Sequence, residues 1–260
     1  MTMPLRNVHV IVGEEDHPSR TAIDLVRRFG AHLTGLSIEE QPELTHYMEE
    51  ARVVVRKRTT TDRARFVALA ETAGVDYSVA DLAVPVDGSL DEVLQRCRLS
   101  DLVVVGQAAV RDEFHAELIR RLLLDSSAPV LVVPIGDARF DRAAIAWDGR
   151  PVTAHAIHSA LPLLELATTV AIVSVVRGGE PEPDTAELTA YLAHHGIEAA
   201  HRTIMASGSV AYTLRALVRS ERIDWITMGA FGRSRLNEFF FGSPTREMLA
   251  ETTVPLLMHH

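Results

Sequence analysis

The chain has 260 residues, of which 47% are hydrophobic and 23% are charged, and this composition is typical of a globular protein. At roughly 150 residues per domain, the length predicts two domains. The formal net charge of −9 argues against nucleic acid as a partner, because a nucleic-acid-binding face must be basic to neutralise phosphates.

Two rare residue types narrow the function further. Cys97 is the only cysteine, which argues against a disulfide framework and against multi-cysteine zinc sites. Lys57 is the only lysine, and no glycine precedes it, so the sequence disfavours a Walker-type phosphate loop. A Schiff-base enzyme is disfavoured as well, because Lys57 lies in a charged stretch where nothing would activate it.

The sequence also predicts where the protein acts. No uncharged stretch approaches the roughly 18 apolar residues of a membrane span. The first residues lack the basic-then-apolar order of a signal peptide, since acidic side chains arrive by Glu14. We therefore expect a cytoplasmic protein that does not use a membrane.

Taken in chain order, the first half alternates apolar runs with helical patterns. The apolar runs lie at 8–12, 101–106 and 128–134, and a long helix rich in acidic and basic residues is predicted at 43–73. The joint to the second half falls near 135–142, where proline and glycine interrupt the last apolar run.

The second half has a clearer alternation of strands and helices. Its strands are predicted at 143–147, 169–176, 197–203, 224–229 and 254–258. Its helices are predicted at 151–166, 184–195, 207–220 and 244–252.

The two halves resemble each other. DLVVVG at 101–106 corresponds to DWITMG at 224–229, and APVLVVP at 128–134 corresponds to the run at 254–258. A duplication with a period of about 125 to 135 residues explains this order, and such a period is too long for a solenoid. Continuous apolar strands that alternate with helices predict a doubly wound α/β fold with parallel sheets.

A glycine-bearing segment follows the strand at 224–229. Gly229, Gly232 and Gly242-Ser243 are spaced as Gly-x2-Gly-x9-Gly-Ser. Glycines without Cβ atoms let the backbone approach a ligand at the carboxyl end of a parallel strand, where open α/β sheets bind ligands. The helix that starts near Pro244 would add free N–H groups and the hydroxyls of Ser243 and Thr245, a natural anion site.

This segment, the tandem halves and the closing strand resemble the universal stress protein family, whose ATP-binding members carry the same glycine spacing here. The resemblance implies one flavodoxin-like or Rossmann-like unit per half, each a mostly parallel five-stranded sheet with helices on both faces. It also implies that ATP, or another adenine nucleotide, occupies the crevice. The residues implied to bind the nucleotide are Asp148 and Val175 near adenine, and Gly229, Gly232, Gly242 and Ser243 near ribose and phosphates, with Thr245 nearby. Arg233, in the same loop, is a separate candidate for a phosphate contact.

Alternative interpretations of these residues stay open. The glycines could be ordinary turn residues, Arg233 could be a solvated loop residue, and Asp148 could cap the helix that begins at Pro151. We expect no metal ligated by the protein itself, although Mg²⁺ would accompany a bound nucleotide. His155 and His158 have a spacing compatible with a metal, but they lack the further ligand of a zinc-protease pattern.

The first half departs from the family pattern. Its second glycine position is Ala109, and counting back from Pro129 places Ala116-Glu117 where the second half has Gly242-Ser243. The position of the adenine-contacting aspartate is taken by Glu14. We therefore predict a degenerate, structural domain at 1–137 and a nucleotide-binding domain at 141–260.

The function expected from these observations is a nucleotide-responsive stress or regulatory binding protein with an unidentified protein partner. Nothing beside the glycine segment provides a general base, so any enzymatic activity would be at most a weak ATPase. The alternatives are a slow ATPase or adenylate-handling enzyme that uses the same crevice, or a nucleotide-free scaffold.

Two expectations concern larger-scale behaviour. The apolar last strands of the two halves would pair as an intrachain pseudo-dimer, because related single-domain proteins pair this way, and a homodimer is left open. The loop at 230–241 should gain order when nucleotide binds, with Phe239, Phe240 and Phe241 packing it in the empty state.

Overall fold

The computed structural model describes residues 4–40, 48–84, 89–107, 113–231 and 243–260, with the backbone alone at 40, 48–58 and 243. The chain divides into two compact units. One comprises Leu5–Ile135 and is called the N-terminal unit, and the other carries Gly136–His260 and is called the C-terminal unit. Each is described by itself.

The N-terminal unit has five described strands and four described helices. Its strands lie in the spatial order β3-β2-β1-β4-β5, and the adjacent strands are parallel. The elements in chain order are β1 (Asn7–Val12), α1 (His17–Phe29), β2 (His32–Glu40), α2 (Met48–Ala73), β3 (Tyr77–Val84), α3 (Asp91–Cys97), β4 (Leu102–Gly106), α4 (Glu113–Asp125) and β5 (Val130–Val133).

The C-terminal unit repeats this topology. Its strands lie in the order β10-β9-β6-β7-β8, and its adjacent strands are also parallel. The elements are β6 (Arg142–Ala146), α5 (Pro151–Leu164), β7 (Thr169–Val176), α6 (Ala186–His194), β8 (Ala199–Met205), α7 (Val210–Glu221), β9 (Trp225–Gly229), α8 (Ser243–Glu251) and β10 (Leu256–His259).

The sequence pattern explains why these strands are central. The first four residues of β4 and all four of β5 are buried, and in the C-terminal unit β9 has the same pattern as β4. Strands covered by helices on both faces bury both sets of side chains and therefore read as continuous apolar runs. This pattern confirms the predicted α/β class.

The boundaries predicted in the second half agree with the structure to within three residues. Strand β7 spans 169–176 as expected, whereas α7 begins at Val210 and not at 207. The reason for the difference is Ser209, which has extended backbone and accepts a hydrogen bond from the N–H of Tyr212. Such a side-chain cap fixes the helix start at the following residue.

Candidate functional site

The strand order of the C-terminal unit creates a crevice at one place. From β6 the chain runs outward to β7 and β8, and it then returns to β9 on the opposite side of β6. In open α/β sheets, the reversal of strand order leaves a gap at the carboxyl ends of the two strands, and ligands bind there. The carboxyl ends of β6 and β9 therefore mark the candidate site.

Gly229 closes β9 at this position and lies tightly against the start of α5. A Cβ atom on Gly229 would lie 2.8 Å from the backbone nitrogen of Thr153 and 2.9 Å from Cγ1 of Val152. Only a residue without a side chain permits this approach. The contact places the first turn of α5 against the strand end. The N–H groups of a first helical turn have no partner within the helix and favour anions.

Asp148 lies in the short connection between β6 and α5. Its Oδ1 atom accepts hydrogen bonds from the backbone N–H of Arg150 at 3.1 Å and from the hydroxyl of Thr153 at 2.5 Å. Nε of Arg150 is 3.6 Å from Oδ2, and the side chain of Asp148 is 48% exposed. One oxygen of Asp148 therefore braces the connection between β6 and α5, although it caps no N–H of the first helical turn, and the carboxylate stays half exposed.

Trp147 is a site residue that the sequence reasoning missed. Its backbone N–H donates to the carbonyl of Val173, and its indole Nε1–H donates to the carbonyl of Asp184, at 2.9 and 2.8 Å. These two bonds tie the segment before Asp148 to β7 and to the segment before α6. A tryptophan beside the candidate aspartate was the available signal, because an indole N–H usually finds a partner.

The other site residues predicted from the sequence fall into two groups. Val175 is half-buried next to the end of β7, and Thr245 lies in the first turn of α8 with only 5% exposure. Ser243 begins α8, but its side chain lies outside the described residues. Gly232, Arg233 and Gly242 lie outside the described residues altogether, as does nearly all of the loop at 230–241.

Helix α8 is held by two polar links to α7. Ser209, the residue that caps α7, donates its hydroxyl to a carboxylate oxygen of Glu247. Arg215 forms an ion pair with Glu251, and the arginine side chain is only 17% exposed. These links hold the middle and the end of α8 against α7. They join residues far apart in sequence, so the sequence pattern did not reveal them.

The corresponding crevice in the N-terminal unit is arranged differently. A Cβ on Gly106, at the end of β4, would lie 3.0 Å from Cγ of Pro18 and 3.6 Å from Nε2 of His17. The His17 ring reaches further, with Nε2 3.1 Å from the carbonyl oxygen of Val133 and Nδ1 3.0 Å from a carboxylate oxygen of Glu15. The side chain of His17 is 11% exposed, so it fills the space over the strand end.

The predicted alignment of Ala116-Glu117 with Gly242-Ser243 was wrong, because Glu117 and Ser243 hold different positions in their helices. Helix α4 begins at Glu113, so Glu117 lies in the second turn and not at the helix start. Its carboxylate accepts two hydrogen bonds from Arg120, and these bonds lower the pKa of Glu117 below its usual value. Glu117 is thus a paired residue on a helix surface.

Two further features, a metal site and a membrane-spanning helix, are not found among the described residues. No group of three histidine, cysteine, aspartate or glutamate side chains among them could hold a metal ion. His155 and His158 are both exposed on α5, and their rings face His259 and Tyr191 respectively. Within the same part of the chain, no helix is long and apolar enough to cross a membrane.

A doubly wound α/β unit with a glycine-ended strand at its switch point is the class that this geometry defines. The family model described as "Universal stress protein family" matches residues 139–260. The C-terminal unit therefore belongs to the universal stress protein family. No curated protein matches the chain.

Two solved structures are similar in fold to nearly the whole chain. A universal stress protein from Archaeoglobus fulgidus is similar with a TM-score of 0.74 and 16% identity, covering 97% of this chain and 96% of that one. A functionally unknown protein from Pseudomonas aeruginosa is similar with a TM-score of 0.60 and 13% identity, covering 98% and 92%.

A third structure covers only part of the chain. It is a universal stress protein from A. fulgidus in complex with dAMP, with a TM-score of 0.36 and 16% identity, covering 50% of this chain and 98% of that one. The bound dAMP is a property of that protein.

Proposed function

We propose that the C-terminal unit binds an adenine nucleotide, ATP, in the crevice at the carboxyl ends of β6 and β9. The proposal extends to a nucleotide-responsive stress or regulatory binding protein that acts in the cytoplasm through a protein partner. Mg²⁺ would accompany the triphosphate. The observation that carries the proposal is the close approach of Gly229 to Thr153, because it brings a helix start against the switch point.

The chemistry of the site supports separate roles for its two sides. The first turn of α5 offers N–H groups and the positive end of a helix dipole, which suit phosphate oxygens. The first turn of α8, at Ser243, is the expected second contact for phosphate, together with Gly232, Arg233, Gly242 and Thr245. The half-exposed carboxylate of Asp148 suits a hydrogen-bond donor such as the amino group of adenine, with the backbone near Val175 beside it.

The first experiment asks what the protein carries. The purified full-length protein is denatured, and its supernatant is analysed by mass spectrometry for ATP, ADP and AMP. Stripped protein is then titrated with ATP by calorimetry. We expect adenine nucleotide in the supernatant or saturable binding of ATP. The absence of both would support a nucleotide-free scaffold and contradict the proposal.

The second experiment separates binding from hydrolysis. The protein loaded with ATP and Mg²⁺ is incubated for hours, and released ADP is measured. We expect ATP to be retained, because the carboxylate of Asp148, which lies beside the crevice, is proposed to contact adenine and not the phosphates. ADP formed at a rate that disappears with Gly232→Leu would favour the slow ATPase instead.

A further inference from the structure

A second cleft lies in the N-terminal unit, away from the switch point. It has a volume of about 310 Å³, near the lower end of the range for small-molecule sites. It opens between α2 and the carboxyl ends of β2 and β3. Its lining residues are Ser37, Glu39, Thr59, Thr60, Arg63, Asp81, Leu82 and Ala83.

The strand register explains why a cleft forms here. Ser37 on β2 pairs with Asp81 on β3, and Glu39 pairs with Ala83. Successive side chains on a strand alternate between faces, so these four residues share one face of the sheet. Nearer the amino ends of the strands, Gly35 lets the ring of Phe66 on α2 pack directly on β2, because a Cβ there would lie 2.5 Å from that ring.

One atom in the cleft lacks a partner. The hydroxyl oxygen of Ser37 is buried, the residue is only 2% exposed, and this oxygen makes no hydrogen bond. A buried hydroxyl without a partner is costly to the folded state. A polar molecule in the cleft would supply the missing hydrogen bond.

The charges around the cleft restrict the chemistry of that molecule. Nε of Arg63 donates to both carboxylate oxygens of Asp81, at 3.0 and 3.3 Å, so these two charges neutralise each other. Glu39 adds one further carboxylate to the lining. Among the described side chains that line the cleft, the balance is therefore one negative charge, which disfavours an anion. Carboxylate acceptors, guanidinium N–H donors and hydroxyls together suit a ligand whose hydroxyl groups both donate and accept.

The equivalent strands of the C-terminal unit show the contrast. Ser174 on β7 lies 3.5 Å from Nε2 of His201, and Thr203 donates to Glu182 at 3.2 Å. Ser174 and Thr203 are register partners, as Ser37 and Asp81 are. The hydroxyls at this place in the C-terminal unit therefore have partners within the protein.

We propose that the cleft lined by Ser37, Arg63 and Asp81 binds an uncharged polyhydroxylated molecule of monosaccharide size. The hydroxyl of Ser37 bonds one ligand hydroxyl at the buried end. The Arg63–Asp81 pair bonds neighbouring hydroxyls, with Arg63 donating and Asp81 accepting. Glu39 accepts from a further hydroxyl.

The test uses the full-length protein and four probes: D-ribose, D-glucose, putrescine and inorganic phosphate. Binding is followed by saturation-transfer NMR and by calorimetry. We expect at least one of the two sugars to bind and neither putrescine nor phosphate to bind in the cleft. Binding of putrescine or phosphate without binding of either sugar, or no binding of any probe, would overturn the proposal.

Variants assign the binding to this cleft. Ser37→Leu fills the buried end and should abolish sugar binding, and Ser37→Ala should weaken it at least tenfold with little change to the packing. Ser174→Ala is the matched control and should bind sugar as the natural chain does. Circular dichroism checks that each variant is folded. Sugar binding that is unchanged in folded Ser37→Ala contradicts the proposal.

This site is independent of the proposed nucleotide site, so the two proposals fail separately. Ser37→Ala should leave ATP binding unchanged, and Gly229→Ala should leave sugar binding unchanged. Loss of sugar binding in Gly229→Ala would place the sugar in the switch-point crevice and would overturn the second site.

Discussion

The two units have the same strand order but treat the carboxyl ends of their central strands in opposite ways. In the C-terminal unit, β9 ends at Gly229, which lies against the backbone of Thr153. The nearby carboxylate of Asp148 is half exposed. In the N-terminal unit, the ring of His17 covers Gly106 and reaches the carbonyl of Val133. One topology thus carries a half-exposed carboxylate beside the strand end in one copy and a largely buried histidine ring over it in the other.

This comparison teaches that a shared fold does not fix a shared site. Both strand ends carry glycine, and both helices that start beside them carry proline in the first turn. The difference lies in a few side chains, chiefly His17 in one unit and Asp148 in the other. Function therefore has to be argued from the site and not from the fold.

The largest expected effect concerns Gly229. Gly229→Ala would force the start of α5 away from β9, because the new Cβ would lie 2.8 Å from a backbone nitrogen that cannot rotate away. We expect ATP binding to fall at least a hundredfold and the stability of the C-terminal unit to fall by about 1–3 kcal/mol. Calorimetry and urea denaturation measure the two effects.

The matched control is Gly106→Ala in the N-terminal unit. There the nearest atom to the new Cβ is a proline side-chain carbon at 3.0 Å. We expect this variant to bind ATP as tightly as the natural chain. A larger loss of binding in Gly106→Ala than in Gly229→Ala would reverse the assignment of the site to the C-terminal unit.

The next effect distinguishes the units by their response to acid. His9 on β1 is buried and bonded to Ser100, and burial lowers its pKa from 6.5 to about 4. The register places Ala144 at the same position of β6. Between pH 6.5 and about 4 the unfolded chain binds a proton at His9 that the folded unit does not bind, so stability falls as the pH falls.

We expect a loss on the order of 3 kcal/mol in the N-terminal unit over this window. The two tryptophans, Trp147 and Trp225, both lie in the C-terminal unit, so their fluorescence reports that unit while circular dichroism reports both. The double variant His9→Leu/Ser100→Ala removes the titrating group without leaving an unpaired hydroxyl. Acid sensitivity that persists undiminished in this variant would exclude His9 as the cause.

A smaller effect concerns the two roles of Asp148. Asp148→Ala removes the acceptor for Arg150 and Thr153 and should cost about 1 kcal/mol of stability. Asp148→Asn keeps an acceptor oxygen and should cost less. If the carboxylate also contacts adenine, both variants should bind ATP about tenfold more weakly, a loss of about 1.4 kcal/mol. Normal ATP affinity in folded Asp148→Asn would leave the bonds to Arg150 and Thr153 as its only role.

The smallest effect concerns the position of α8. Glu247→Ala removes the acceptor for the Ser209 hydroxyl, which links α8 to α7. We expect a loss of about 1 kcal/mol in stability and a severalfold weaker affinity for ATP, since the first turn of α8 is an expected phosphate contact. Arg246→Ala is the control, because Arg246 is exposed on the same helix. Equal ATP affinities in the two variants would show that the link does not position the site.

The sequence allowed the fold to be predicted because buried parallel strands read as apolar runs. The strands β7 and β9 were found nearly to the residue for this reason. The start of α4 was predicted at the wrong residue, because counting back from Pro129 assumed that α4 and α8 have equal lengths. They have 13 and 9 residues, so Glu117 falls inside the helix.

The side-chain contacts of the sites could not be predicted in the same way. The reach of His17 to Val133 and the unpaired hydroxyl of Ser37 both depend on which distant segments meet in space. The periodicity of a sequence does not indicate which distant segments come into contact. The expected capping by Asp148 was also wrong in detail: Arg150 is the N-cap of α5 and no side chain caps it, while Asp148 bonds the N–H of Arg150 and the hydroxyl of Thr153.

The number of nucleotides bound per chain tests the central claim most directly. The full-length protein, stripped of ligand, is titrated with ATP by calorimetry, and the titration is repeated with Gly232→Leu. The expected result is one site per chain, which Gly232→Leu abolishes. Two equivalent sites per chain, or one site that survives Gly232→Leu, would contradict it.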